Sequence, residues 1–177
     1  ADEMITGFGR TGKMFGCEHT DTEPDVMTIG KGFGCGFPVT GLISTDEIVS
    51  ALPFARPSSS SSSYGGNPLA ATAALTTVQT IIDEGLVENA ERVGAVLLQG
   101  LRELQEKYEF IGDVRGKGLL IGIDLVADRR TKEPLPSRVT EAIFLGALRR
   151  GLLLMGYFAR RRIYPPLALT ETEARDG

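Results

Sequence analysis

The sequence predicts an α/β layer followed by a smaller α+β unit, and three observations carry that prediction. Before Gly85, short apolar runs alternate with helix starts. After it, a long amphipathic helix leads into two strands punctuated by glycine. The 177 residues are 42% hydrophobic, enough for a sizeable core. The change of pattern at Gly85 sets the boundary and gives domains 1–84 and 85–177.

Val26, Met27 and Ile29 read as a short buried strand, and residues 39–43 as another. Ser44 with Glu47 three residues on is a capping box that opens a short helix through about Leu52. Residues 53–66 are irregular, and the run of serines at 58–63 has the composition of a flexible linker. The loop ends in Tyr64-Gly-Gly-Asn67-Pro68, where Asn67 suits an N-cap and Pro68 a first helical position. Backbone N–H groups near such a helix start favour an anion. A helix over 68–84 follows, and a second over 87–108, with Leu86, Ala90, Val93, Leu97, Leu101 and Leu104 recurring at three- and four-residue steps.

Residues 111–126 read as two strands with turns at Gly112, Gly116 and Gly118, the second strand covering 119–126. Residues 127–136 form a loop, 137–150 an amphipathic helix closed by Gly151, and 152–155 a strand. Thr170 with Glu173 is a second capping box, yet only four residues follow it, too few for a stable helix. With an opening on Ala1-Asp2-Glu3, the chain reads as a fragment of a longer protein, cut at both ends.

A net charge of -4 and a pI near 5.1 give no electrostatic reason to expect nucleic acid or an anionic membrane as partner. No apolar run approaches a membrane span and no signal peptide is visible, so the expected compartment is the cytoplasm. Cys17, Cys35 and His19 lack metal-ligand spacing, so no metal is expected and all three read as structural or incidental.

Two stretches carry candidate chemistry. Residues 25–38 set Lys31 between a short apolar run and Gly30, Gly32, Gly34 and Gly36. A cation there is expected to be poorly solvated, which favours the neutral amine, the form that condenses with an aldehyde. Taken alone, the same lysine reads as a solvated loop residue. The second stretch, residues 7–13, fits both G-x-G-x-x-G and the first seven positions of the P-loop. Met14 stands where a P-loop needs Ser or Thr, and residues 14–25 lack a helical stripe and include Pro24, which argues against a Rossmann helix.

Five motifs occur in order: Ala-Asp-Glu-x-x-Thr-Gly-Phe-Gly-Arg-Thr-Gly at the start, Pro-Asp-x-x-Thr-x-x-Lys-Gly around Lys31, Tyr-Gly-Gly-Asn-Pro at Tyr64, Gly-Asp-Val-Arg-Gly-x-Gly-Leu at Gly112 and Pro-Pro-Leu at Pro165. Over residues 1–170 the chain thereby resembles the class III (omega) aminotransferases, pyridoxal-phosphate enzymes of fold type I. The resemblance implies that residues 1–84 are the C-terminal part of the cofactor-binding large domain and that 85–177 are a small α+β domain truncated at its end. It implies that Lys31 carries pyridoxal 5'-phosphate as an internal aldimine and moves a proton at the substrate carbon. Asp2, 29 positions earlier (31 minus 2), matches the carboxylate that pairs with the pyridine nitrogen.

Ser63 matches a residue that binds the cofactor phosphate of the neighbouring subunit, which implies a homodimer with a shared active site; Tyr64 beside it belongs to the same cofactor-binding set. Met4 matches a position that packs on the ring face, and Ile5 one near the phenolic oxygen, where it supplies no donor. Arg162 matches an arginine for the substrate carboxylate, although residues 160–162 read equally as a solvated surface patch. The implied activity is transfer of an amino group from an amine or amino acid to a keto acid by a ping-pong route. The fragment alone is expected to bind cofactor weakly and turn over little. An aminomutase or decarboxylase of the same fold stays open, as does, from another class, a nucleotide-binding module at residues 7–13.

Overall fold

A computed structural model of the chain describes residues 1–59, 61–156 and 158–177. The chain divides into two compact units, Ala1–Val87 and Glu88–Gly177.

In the first unit, β1 (Val26–Ile29) and β2 (Gly41–Ser44) pair antiparallel, with Met27 opposite Ile43. On the other edge of β1, Thr28 forms a parallel bridge with Asp2, so the N-terminal segment lies alongside the strand that leads to Lys31. The capping residue of α1 (Asp46–Val49) is Thr45, which accepts from the Ile48 N–H; Ser44, the cap expected from sequence, is still in β2 and donates to the Asp25 carbonyl at 2.7 Å. The α1 helix stops at Val49, short of Leu52. Before α2 (Pro68–Asp83), Asn67 accepts from the Ala70 N–H at 2.9 Å, and Ala70, Ala74 and Ile81 turn one buried face inward. The α2 helix packs against the tight turn Lys31–Gly34. Of the serine run at 58–63, Ser60 lies outside the described residues.

In the second unit, α3 (Leu86–Lys107) buries Ala90, Val93, Gly94 and Leu98. The strands β3 (Ile111–Lys117) and β4 (Leu120–Asp128) form a hairpin, and β5 (Glu133–Pro134) and β6 (Arg160–Ile163) each pair antiparallel with β4. Leu98 of α3 meets Ile111, Val114, Ile121, Ile123 and Leu125 in the main core, joined by Ile143 of α4 (Ser137–Arg149) and Ile163. A Cβ on Gly94 would lie 2.2 Å from the Gly118 carbonyl oxygen, so α3 rests backbone to backbone on the β3–β4 turn.

Three further expectations fail for physical reasons. Residues 152–155 form no strand, and Leu153 and Met155 are exposed. The strand is β6, hidden in the sequence because three consecutive arginines give no alternation of apolar and polar types. Residues 171–176 do form a helix, α5 (Glu171–Asp176): Thr170 and Glu173 complete their capping box, and Ala174 packs with Ala90, Val93 and Leu119. Tertiary packing supplies what so short a helix lacks by itself. Part of the expected loop at 127–136 is β5.

Among the described residues no helix is long and apolar enough to cross a membrane, and no group of His, Cys, Asp and Glu is placed to hold a metal ion.

Candidate active site

Asp2 is placed by two backbone bonds on either side of it: the Thr28 N–H donates to the Ala1 carbonyl, and the Glu3 N–H donates to the Thr28 carbonyl, both at 2.9 Å. Its exposed carboxylate accepts from the Met4 N–H at 3.1 Å and from the Thr28 hydroxyl at 3.5 Å. From Thr28 the chain runs through Ile29 and Gly30 to Lys31. Gly30 is buried and extended, and a Cβ there would lie 2.6 Å from the Met4 sulfur and 3.1 Å from the Thr40 methyl. The Met4 thioether therefore lies directly on the backbone that precedes Lys31. Asp2, Met4 and Lys31 are gathered at one end of β1.

Lys31 opens the turn in the left-handed region, at φ 47°, a conformation that needs support from its surroundings in a residue with a Cβ. The support is visible: the Phe33 N–H donates to the Gly30 carbonyl at 3.0 Å, and the Phe33 ring stacks on buried Phe8, with centroids 4.9 Å apart. The expected poor solvation is corrected. Lys31 is exposed, because the glycines on both sides carry no side chain to cover it, and its side chain forms no hydrogen bond or ion pair among the described residues.

Next to Asp2, Glu3 is 2% exposed, and no sequence pattern singles it out. Its carboxylate accepts from the Thr6 hydroxyl, the Gly16 N–H at 2.9 Å and the Cys17 N–H at 2.8 Å. Burial pushes this carboxyl up, but the bonds from Thr6, Gly16 and Cys17 together outweigh it and hold it below its ordinary value. Burial and the neighbouring Glu3 carboxylate push the Cys17 thiol up. The arrangement also bears on residues 7–13. No helix starts at Gly12; a 3-10 turn starts at Gly16, and the Gly16 and Cys17 amides at its start already hold an internal carboxylate. His19 bonds through Nε2 to the Thr11 hydroxyl at 3.0 Å, a structural role.

Ile5 is half-buried beside this group. Ser63 and Tyr64 are exposed in the turn before α2, where Asn67 Nδ2 donates to the Tyr64 carbonyl at 2.9 Å. One asparagine thus caps the helix and fixes the turn that carries both residues. No hydrogen bond joins Ser63 or Tyr64 to Asp2 or Lys31 among the described residues.

Arg162 belongs to the second unit. It lies opposite Gly122 on the exposed face of the sheet, with Nη1 3.5 Å from the Tyr164 hydroxyl. Arg115 stands on the other side of Gly122 and is bound to Asp113 and, at 3.1 Å, to Asp124; bonds to Asp124 and then Asp113 hold its guanidinium above its ordinary basicity. Arg161 points the opposite way, 7% exposed, donating to the Thr140 carbonyl at 2.8 Å and the Gly156 carbonyl at 3.2 Å, and burial lowers its basicity. The arginine patch is therefore split: Arg160 and Arg162 reach solvent, and Arg161 ties β6 to α4.

Residues 1–177 match the family model described as Aminotransferase class-III. The chain belongs to this family. It is 41% identical to the mitochondrial alanine–glyoxylate aminotransferase 2 homolog 2 of Arabidopsis thaliana, over 98% of this chain and 36% of that protein. It is 38% identical to a leucine/methionine racemase of Thermococcus litoralis, over 99% of this chain and 39% of that protein. The class III chain also superposes on a solved amine transaminase from an uncultivated Pseudomonas species with a TM-score of 0.89 and 36% identity, covering 98% of this chain and 41% of that one. Its mixed helix and sheet fold is the fold of those transaminases, consistent with part of the fold type I large domain, and it spans about 40% of their length.

Proposed function

We propose that the chain forms part of a pyridoxal-phosphate-dependent transaminase that moves an amino group from an amine or amino acid to a keto acid by a ping-pong route. The observation that supports this most is the gathering of Asp2, Met4 and Lys31 at the end of β1. The donor set fits the cofactor. Lys31 is a primary amine with no competing partner among the described residues, Asp2 is an exposed carboxylate on a segment held by backbone bonds, and Met4 sets an apolar thioether against Gly30, beside Lys31.

When bound, pyridoxal 5'-phosphate supplies an electron sink for the substrate carbon. Asp2 keeps a proton on the ring nitrogen. Lys31 binds the cofactor through its amine and then takes and returns the proton at the substrate carbon. Met4 would pack against the ring, and Ile5 would border it without donating a hydrogen bond. Ser63 and Tyr64 receive the phosphate of a second subunit at the start of α2, where the helix N-terminus favours an anion. Arg162 meets a substrate carboxylate with paired N–H groups.

In this reading residues 1–84 belong to the large domain and 85–177 to the small one, and the working unit is a cytoplasmic homodimer with a shared site. The family likeness supports the dimer, and a composition with only two cysteines fits a reducing compartment. The test is amino transfer to a keto acid, abolished by Lys31→Ala, measured on the longer protein of which this reading makes the chain a part.

A second reading is isomerisation, favoured by the relative named leucine/methionine racemase. An amino acid inverted without consumption of keto acid would support it over transfer; an aminomutase or decarboxylase would each show a different product.

A further inference from the structure

Glu3 is bonded through every polar group it has. Its N–H donates to Thr28 and its carbonyl accepts from the Gly7 N–H at 3.0 Å, while its carboxylate is held by Thr6, Gly16 and Cys17. The loop is also shaped around it. A Cβ on Gly7 would lie 2.8 Å from the Glu3 carbonyl oxygen, and one on Gly16 would lie 3.2 Å from its carboxylate and 2.8 Å from Thr6 Cβ. Glycine at both positions lets the loop close over the side chain.

We infer that Glu3 is a positioning residue for Asp2: its buried carboxylate clamps the loop at residues 6–17, and the clamp holds the Asp2–Thr28 bridge in register, so that the Asp2 carboxylate stands at one place beside the strand leading to Lys31. Adjacent residues on an extended segment point to opposite sides, so one carboxylate is locked inward while its neighbour faces solvent. The exposed one has only a 3.1 Å and a 3.5 Å contact of its own. Its position is inherited from the residue beside it.

The inference rests on the transaminase reading, since the position of Asp2 matters to the cofactor only there. Glu3→Gln keeps the size of the side chain but turns one acceptor oxygen into a donor facing donors. Glu3→Asp keeps the charge and shortens the reach. The test is cofactor affinity by spectral titration with pyridoxal 5'-phosphate for the chain, Glu3→Gln, Glu3→Asp, Asp2→Asn and the Asp2→Asn/Glu3→Gln double variant, with amide exchange at Gly16, Cys17 and Thr28 on the same samples.

Glu3→Gln is expected to weaken binding by about tenfold, Glu3→Asp by less, and exchange at the three amides to accelerate while the helices stay protected. In the Asp2→Asn background the Glu3→Gln effect is expected to shrink to less than about twofold, because the two residues act through one position. A residue that merely stabilised the fold would weaken binding equally in both backgrounds, and that outcome overturns the inference, as does unchanged affinity in Glu3→Gln. Exchange at Thr28 needs no cofactor, so an unchanged rate there in Glu3→Gln overturns the clamp by itself, whereas failure of the transaminase reading leaves that exchange difference in place and removes only its consequence for the cofactor.

Discussion

Asp2 and Thr28 face each other in a parallel bridge, and the contact between their side chains, at 3.5 Å, is the weakest of the bonds that join them. Removing that hydroxyl in Thr28→Val is therefore expected to cost less than about 1 kcal/mol, the size of an ordinary net hydrogen bond. The 2.9 Å backbone bonds stay in place. Urea unfolding measures the difference, and a loss above about 2 kcal/mol would mean that the hydroxyl, and not the backbone, holds the bridge.

Acid acts on Glu3 in a definite direction. Its carboxyl is held below the ordinary value of 4.5 in the folded chain, so folding favours the ionised form. That contribution is fully present above the unfolded value and is lost as pH falls through the folded one. The stability gap between the chain and Glu3→Gln is expected to be constant near neutral pH and to narrow below pH 4.5. Denaturant melts across this range check it, and a gap independent of pH would contradict it.

Asn67→Ala removes the cap on Ala70 and the bond to the Tyr64 carbonyl together. The expected loss is about 1 kcal/mol, with faster amide exchange at Ala70, and Asn67→Asp is expected to keep most of the cap. Equal losses in both variants would place the effect elsewhere than in the cap.

Two glycines in α3 separate packing from propensity. At Gly94 a Cβ meets the Gly118 backbone at 2.2 Å, whereas at Gly100 it meets nothing within 4 Å. Gly94→Ala is expected to destabilise by roughly 3 kcal/mol, since the obstructing atoms are main chain. Gly100→Ala is expected to stabilise by about 0.5–1 kcal/mol. Thermal melts of both variants decide whether α3 sits on the β3–β4 turn as described.

Elements with a strong period were legible in the sequence. Asn67-Pro68 announced α2, the leucine stripe announced α3, and glycine punctuation announced the β3–β4 hairpin. The strand β6 was not, because Arg160, Arg161 and Arg162 look alike in sequence although Arg161 alone is buried among them. At the site, spacing and motif suggested Asp2 and Lys31, while the exposure of Lys31 was not legible, because the glycines beside it allow close approach of a bound group but carry no side chain that covers the amine. Glu3 stayed hidden for another reason. Two of its three partners are backbone amides 13 and 14 residues away, and an amide carries no side-chain signature.

The chain has five lysines, Lys13, Lys31, Lys107, Lys117 and Lys132, and every one is exposed. Unselective chemistry would label them alike. Borohydride reduction of the chain with pyridoxal 5'-phosphate, followed by peptide mass mapping, is expected to place the adduct mainly on Lys31 and to lose that preference in Asp2→Asn. An adduct spread evenly over the five lysines, or a preference for Lys31 that survives the loss of the Asp2 charge unchanged, would contradict the pairing of Asp2 with Lys31 around one cofactor.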